Sequence, residues 1–143
     1  MTTHSREDFT GVKIALIHND KVLMIHRDDK PGLRFAGLWD FPGGGREGNE
    51  TPYECAAREV DEELGIQLNE DQIIWHSAHP AMHDPKLTAL FMVAKITQDE
   101  LDAVKFGDEG QSWKMRDIGE FMNANDVIEA LKGRLQGYLD SLR

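Results

Sequence analysis

Only one cysteine occurs among the 143 residues, and no long apolar run is present. A single cysteine, Cys55, excludes a disulfide within the chain and favours a reducing, cytoplasmic setting. No segment reaches the roughly 18 apolar residues that a membrane-spanning helix needs, so we expect no membrane partner. The first eleven residues, MTTHSREDFTG, lack an apolar core, which predicts that they are not a secretory signal peptide.

Positive charge is also scarce, with 16 lysines and arginines against 26 aspartates and glutamates and a formal net charge of -10. The cationic residues are scattered along the sequence rather than clustered. This pattern argues against duplex nucleic acid as a partner, because such proteins usually carry a basic patch. An acidic protein can still bind a small phosphorylated ligand if metal ions lie between the two.

The distribution of apolar residues predicts one α/β domain over residues 1–143. Alternating and β-branched segments predict strands at residues 10–19, 21–27, 73–79, 87–96 and 111–118. Apolar spacings of three and four predict a C-terminal amphipathic helix that is capped by Asn125 or Asp126. The segment TQDELDAV, residues 97–104, is predicted as a solvated connection. The order of strands and helices predicts a mixed sheet with helices on its faces.

A further helix is predicted from about Pro52 to Leu64. Thr51 suits the N-cap position, and Glu54 completes a capping box with it. Gly65 suits the position that follows the last turn.

Three carboxylates of this helix, Glu59, Glu62 and Glu63, fall within an arc of about 100° because they are spaced i, i+3 and i+4. Like charges at these spacings repel by about 0.2–0.5 kcal/mol per pair, and no lysine lies between Lys30 and Lys86 to offset them. A solvated charged face is the alternative. Hard oxygen ligands suit Mg²⁺ or Mn²⁺, so the arc is predicted to bind a divalent metal ion. The preceding PGGG turn would bring backbone groups close to the bound metal or phosphate.

The spacing of these residues matches a longer pattern. Gly44, Glu50 and the run REVDEELGI at residues 58–66 fit G-x5-E-x7-R-E-U-x-E-E-x-G-U at every fixed position, where U is a bulky aliphatic residue. This 23-residue pattern, residues 44–66, is the Nudix box, and the sequence resembles the Nudix hydrolase family. The resemblance implies an α/β/α sandwich, hydrolysis of a nucleoside diphosphate linked to another group, and Mg²⁺ or Mn²⁺ as the cofactor.

The resemblance also implies roles for residues of the box. The implied metal ligands are Glu59, Glu62, Glu63 and the carbonyl of Gly43. Arg58 is implied to orient a glutamate, and Glu50 to hold Arg58 in place. Gly44, Glu50 and Gly65 are implied to be structural. Which glutamate takes the proton of the attacking water is left open.

Segments outside the box resemble the MutT-type branch of the family, namely LWDFPGG, FGDEGQSW and NANDVIEAL. The resemblance makes Glu109 a candidate metal ligand or general base, Asn125 a candidate for base recognition and Arg27 a candidate phosphate contact. The alternatives are an exposed loop acid, a helix cap and a surface charge, respectively. Phe41 or Trp39 could stack on the base.

The implied activity is Mg²⁺-dependent hydrolysis of a nucleoside triphosphate to the monophosphate and pyrophosphate, with oxidised purine nucleotides such as 8-oxo-dGTP as the leading substrates. The segment HPAMHDPK replaces F-P-D-R-H of the MutT-type branch, so an arginine that holds the oxidised base there has no counterpart. Alternatives are a pyrimidine triphosphate, a nucleotide sugar or ADP-ribose as substrate, or a non-catalytic nucleotide sensor. The expected partner is a small-molecule nucleotide, and both a monomer and a homodimer are open.

Three histidines, His76, His79 and His83, lie close enough in sequence to suggest zinc. Their spacing is not typical of zinc sites, and no cysteine accompanies them. Histidines near a nucleotide pocket are the favoured interpretation.

Overall fold

A computed structural model gives the fold and describes residues 8–143. Most of the N-terminal segment that we predict not to be a signal peptide therefore lies outside the described residues. The elements in chain order are β1 Phe9–His18, β2 Lys21–His26, β3 Trp39–Asp40, β4 Gly43–Gly45, α1 Pro52–Leu64, a 3-10 turn Glu70–Gln72, β5 Ile73–Pro80, β6 Thr88–Lys95, α2 Gln98–Asp102, β7 Ser112–Asp117, α3 Ile118–Asn123 and α4 Ala130–Ser141.

The strands form one mixed sheet, as the sequence predicts. The main order is β3-β2-β1-β6-β5, with β4 paired to β1 and β7 paired to β2. The pairing of β1 with β6 is parallel, and the other pairings of the named strands are antiparallel. The buried strands β1 and β6 are neighbours in this order, and β6 confirms the strand predicted at residues 87–96.

Strands β1 and β2 separate from one another, and the segment 39–45 fills the gap between them. The two strands pair only beside their connecting turn, at Ile17 with Val22 and at the neighbouring pair. Farther along, β3 pairs with β2 and β4 pairs with β1. We call this inserted segment, residues 39–45, the wedge. Gly43 within it has φ of 140°, and a Cβ there would lie 2.1 Å from the carbonyl oxygen of Val12, so only glycine fits.

Helices cover both faces of the sheet, which confirms the α/β sandwich. On one face α1 buries Cys55, Ala56, Val60 and Leu64 against β1 and β6. On the other face α3 and α4 bury Phe121, Leu131 and Leu135. The large apolar side chains of both layers are almost fully buried, and their removal from water is the main stabilising contribution.

Helix α1 has the predicted bounds and ends. The Thr51 hydroxyl accepts from the Glu54 amide at 3.2 Å, and the Glu54 carboxylate accepts from the Thr51 amide at 2.9 Å. Gly65 adopts the left-handed conformation with φ of 70° and donates to the Asp61 carbonyl. The capping box and the terminal glycine thus fix the register in which the three glutamates are presented.

The predicted start of the last helix is wrong. Helix α4 begins at Ala130, and neither Asn125 nor Asp126 caps it. The cause is an extended contact with the wedge, in which Trp39 donates to the Asp126 carbonyl and accepts from the Ile128 amide. These backbone bonds keep the chain extended up to Ile128, so the helix forms later than its apolar pattern suggests.

The solvated connection predicted at residues 97–104 is wrong as well, because it contains α2. Thr97 and Glu100 form a reciprocal capping box, and Leu101, which follows Glu100, is buried. The T-x-x-E spacing could have predicted this short helix. Within residues 8–143, no helix combines the length and apolar character needed to cross a bilayer.

Candidate active site

Arg58 connects helix α1 to the glycine-rich end of the wedge. Its Nε and Nη2 donate to the two carboxylate oxygens of Glu50 at 2.6 and 3.1 Å. Its Nη2 also donates to the Gly45 carbonyl at 2.8 Å. This paired geometry raises the pKa of Arg58 and lowers the pKa of Glu50, chiefly through their mutual hydrogen bond. The implied contact between Glu50 and Arg58 is therefore present.

The same guanidinium gathers two further carboxylates. Its Nη1 donates to Glu59 at 3.0 Å and to Glu62 at 3.2 Å. Glu59 is mostly buried, and burial raises its pKa although Arg58 opposes the shift. A Cβ on Gly44 would lie 2.5 Å from a carboxylate oxygen of Glu59, so any larger residue there would displace this carboxylate.

Glu63 turns away from Arg58 and faces the wedge. One of its carboxylate oxygens accepts from the Gly43 amide at 2.9 Å. Burial raises the pKa of Glu63 to about 8, against the opposing influence of the Gly43 amide and of Lys13. The negative charge of the ionised Glu63 carboxylate is thus only partly compensated by its surroundings, and a bound cation would complete the compensation.

The three glutamates share one helix face but do not form a closed metal cage. Among residues 8–143, no three histidine, cysteine, aspartate or glutamate side chains are grouped so that they could hold a metal ion as they stand. Arg58 holds Glu59 and Glu62, whereas Glu63 is bonded to Gly43. The donor chemistry nevertheless fits a hard divalent cation, because Glu59 and Glu63 are largely removed from water with incomplete charge compensation and Glu62 beside them is exposed. The ligand assignments for Glu59, Glu62, Glu63, Gly43 and Glu109 stay predictions.

A buried ion cluster that the sequence did not reveal lies at the floor of the site. Asp40, 3% exposed, accepts from Lys13 at 2.8 Å and from Arg27 at 3.2 Å. Its second oxygen accepts from the Phe41 amide at 2.7 Å. The available sequence indicator was Lys13, a charged residue within the apolar run of β1. We call Lys13, Arg27 and Asp40 the ion cluster.

Two cavities meet at the ion cluster, which contributes to the lining of both. One cavity of about 370 Å³ is called the acidic cavity here; its further acids are Asp28, Glu63, Asp108 and Glu109. The other, of about 260 Å³, is called the basic cavity; its further cations are Arg34 and Arg134. Arg27 lines both cavities, and Glu109 shares the acidic cavity with Glu63. The phosphate contact of Arg27 stays a prediction.

The candidates for base recognition differ in position, and Phe41 among them borders the acidic cavity. Asn125 is exposed and lines neither cavity. Phe41 is 1% exposed, and its ring packs 5.2 Å from that of Phe121, so it would have to move before a base could stack on it. Trp39 already stacks on His26 with ring centroids 4.5 Å apart. The substrate-binding roles of Asn125 and Phe41 stay predictions.

The three histidines do not converge. His76 and His79 are three residues apart on β5 and therefore point to opposite faces of the sheet. Nε2 of His79 lies 2.7 Å from the Ser77 hydroxyl, and His83 lines the basic cavity. Residues 8–143 thus offer no zinc-type cluster at these positions.

Comparison with known proteins adds independent information. A family model described as "NUDIX domain" matches residues 9–137. The chain is 36% identical over 69 residues to the "8-oxo-dGTP diphosphatase" of Proteus vulgaris, which covers 48% of this chain and 61% of that protein. It is 26% identical over 132 residues to "Diphosphoinositol polyphosphate phosphohydrolase 2" of Rattus norvegicus, covering 90% of this chain and 71% of that protein. The chain thus spans about three fifths of the length of the Proteus vulgaris relative.

Solved structures show the same fold at low sequence identity. The "MutT protein" of Methanosarcina mazei Go1 superposes with a TM-score of 0.75 at 19% identity and covers 96% of this chain and 97% of that one. A "bifunctional NMN adenylyltransferase/ADP ribose pyrophosphatase" of Francisella tularensis, complexed with AMP and a Mn ion, gives a TM-score of 0.71 at 20% identity. It covers 95% of this chain and 42% of that chain.

Proposed function

We propose that this chain, which belongs to the NUDIX domain family as its sequence resemblance predicts, hydrolyses a phosphoanhydride bond of a nucleoside diphosphate-linked substrate. The observation that carries the proposal is the contact between Glu63 and the Gly43 amide at the edge of the acidic cavity. This contact holds Glu63, whose pKa is raised, in a cavity that is also lined by Lys13 and Arg27, two cations that suit phosphate oxygens. The similarity to a diphosphatase over half of the chain supports the same chemistry.

The residues of the site would have separate roles in binding phosphate, binding a cation and orienting the carboxylates. Lys13 and Arg27 would hold phosphate oxygens at the junction of the two cavities. Glu59, Glu62 and Glu63 would hold a divalent cation, Mg²⁺ or Mn²⁺, which neutralises phosphate charge and activates a water molecule when bound. Arg58 would keep Glu59 oriented, and it is itself held by Glu50.

The proposed reaction is an in-line displacement at phosphorus. The oxygen of water forms a new bond to phosphorus, the bridging P–O bond of the anhydride breaks, and the leaving phosphate takes the electron pair. A carboxylate of the site takes the proton of the water, and Glu63 and Glu109 are the candidates in the acidic cavity. With a nucleoside triphosphate the products would be the monophosphate and pyrophosphate.

For the finer substrate, we propose small nucleotides of the cytoplasm, with oxidised purine triphosphates such as 8-oxo-dGTP as the first to test. The similarity to the Proteus vulgaris diphosphatase favours these. The basic cavity favours a second candidate, a nucleoside diphosphate linked to a more highly charged group. The arginine that holds the oxidised base in the MutT-type branch has no counterpart in this sequence, which also favours this alternative.

Chromatographic detection of the nucleoside monophosphate formed from a nucleotide panel with Mg²⁺ tests the proposal. The panel contains 8-oxo-dGTP, dGTP, CTP and ADP-ribose, and we expect turnover of at least one of them. Glu63→Gln should abolish most of this turnover, because the amide cannot replace a charged ligand or base. Asp61→Asn on the same helix is the matched control, since Asp61 is exposed and lines neither cavity. Equal turnover by Glu63→Gln and wild type would contradict the proposal.

A further inference from the structure

The basic cavity concentrates positive charge in a protein that is otherwise acidic. Its lining carries four cationic side chains, Lys13, Arg27, Arg34 and Arg134, against the single carboxylate of Asp40. The local excess is thus three positive charges, whereas the whole chain carries a formal net charge of -10. A cavity of this sign attracts anions and holds them in an environment where charge interactions are strong.

The carboxylate of Asp40, which this excess already takes into account, is bonded to Lys13 and Arg27 and not to Arg34 or Arg134 within residues 8–143. One oxygen accepts from both Lys13 and Arg27, and the other accepts from the Phe41 amide. The guanidinium of Arg34 donates to a carbonyl oxygen, that of Met82, and not to a carboxylate within residues 8–143. Arg134 likewise donates to a carbonyl oxygen, that of Pro80.

Arg134 is the residue with the most unusual environment in the cavity. It is 6% exposed, and its Nη2 donates to the Pro80 carbonyl at 2.9 Å. Its Nη1 is buried and has no hydrogen-bond partner among residues 8–143. A buried charged donor without a partner costs about 1–3 kcal/mol or more, so such a group is rare unless a ligand satisfies it. Burial lowers the pKa of Arg134, and the charge of Asp40 opposes this shift.

We infer that the basic cavity binds a phosphate group of the substrate other than the phosphates of the anhydride, and that the guanidinium of Arg134 selects for it. The inference rests on the proposed function, since it places the anhydride in the acidic cavity. The ion cluster lines both cavities, so a substrate whose anhydride lies beside Glu63 can extend past Lys13 and Arg27 into the basic cavity. A neutral base edge would satisfy one donor but leave the excess charge, whereas a phosphate offsets both. The substrate class is a nucleoside diphosphate derivative with an additional phosphate monoester.

Binding of product-like nucleotides tests this inference without any turnover. The probes are AMP and its two relatives with one further phosphate, adenosine 2′,5′-bisphosphate and adenosine 3′,5′-bisphosphate, titrated calorimetrically with Mg²⁺ present. For the wild type we expect at least one bisphosphate to bind at least about tenfold more tightly than AMP, the effect of one desolvated charge pair. Arg134→Met should reduce this ratio to near one. Lys132→Met, which removes one charge from the same helix outside both cavities, should leave the ratio unchanged.

The melting temperature of a variant distinguishes a ligand-binding role of Arg134 from a structural role. Arg134→Met should fold with a melting temperature equal to or above that of the wild type, because it replaces a buried, incompletely paired charge by an apolar side chain. Should this variant fail to fold, Arg34→Met decides the question, since Arg34 is exposed and its loss should also lower the ratio. A wild-type ratio near one overturns the inference. So does an equal loss of AMP and bisphosphate binding in Arg134→Met, which would assign the donor to the base or ribose instead. Neither result affects the comparison of Glu63→Gln with the wild type in the hydrolysis assay.

Discussion

The amide of Gly43 lies 2.9 Å from a carboxylate oxygen of Glu63, and this bond, together with that of Arg58 to the Gly45 carbonyl, joins the wedge to helix α1. The wedge lies between β1 and β2, while α1 packs over the same sheet face. The helix thereby presents its carboxylates to the gap where the sheet opens. The position of the candidate active site follows from this separation of two strands.

Gly43→Ala tests how tightly the wedge is held. An added Cβ would meet the Val12 carbonyl at 2.1 Å, in a backbone conformation with φ of 140° that suits only glycine. We expect a loss of about 3 kcal/mol or more in the free energy of unfolding, measured by urea denaturation, because both strain and a clash must be relieved. Gly48→Ala is the matched control, since Gly48 also has positive φ, at 55°, but open space around it. That variant should lose only about 1 kcal/mol, and an equal loss in the two variants would contradict the crowding argument.

The sequence predicted α1 and its carboxylate arc well because both depend on local rules. The capping box, the terminal glycine and the i, i+3, i+4 spacing all act within a few residues. The contact of Glu50 with Arg58 also lies within the box, and its spacing is part of the resemblance. The family resemblance itself is confirmed by the match over residues 9–137.

Features that depend on distant parts of the chain could not be predicted in the same way. Asp40 meets Lys13 only because β1 and β2 separate, and no local pattern encodes that separation. The late start of α4 depends on the bonds of Trp39 to residues 126–128. Arg134 is a charged residue outside the apolar pattern of the predicted amphipathic helix, and only the packed structure reveals that it is buried.

Glu50→Gln tests the anchor of Arg58 through its pH dependence. The pKa of Glu50 lies below its ordinary value of 4.5, chiefly because of the hydrogen bond from Arg58. A lowered pKa in the folded state means that the ionised form stabilises the fold at neutral pH and that this contribution disappears as the pH falls through the folded pKa. We expect the variant to be less stable than the wild type by about 1.5–3 kcal/mol at pH 7. The difference should shrink below about pH 4, and a constant difference down to pH 3 would contradict the assignment.

Cys55 should be unreactive in the folded protein. It is fully buried in α1, and burial raises the pKa of its thiol to about 12. At pH 8 only about one molecule in ten thousand would carry the reactive thiolate. We expect no colour development with a disulfide reagent until the protein is unfolded in denaturant. Rapid labelling of the native protein would show that the core around α1 opens easily.

Thermal melting with and without Mg²⁺ tests the metal assignment of the glutamate arc. Glu63 is largely removed from water with only partial compensation by Lys13 and the Gly43 amide, so its negative charge opposes folding while no cation is bound. Without metal at pH 9, where the wild-type carboxylate is mostly ionised, Glu63→Gln should therefore melt at a higher temperature than the wild type.

A bound ion stabilises the folded state by RT ln(1 + [L]/Kd), about 2.7 kcal/mol at one hundred times Kd. Mg²⁺ should accordingly raise the melting temperature of the wild type and have a smaller effect on Glu63→Gln. Asp61→Asn serves as the control, because Asp61 lies on the same helix outside both cavities and should respond to Mg²⁺ as the wild type does. If Mg²⁺ shifts wild type and Glu63→Gln equally, Glu63 is not a metal ligand. If it shifts neither melting temperature, the alternative interpretation of the arc, a charged face without bound metal, is favoured.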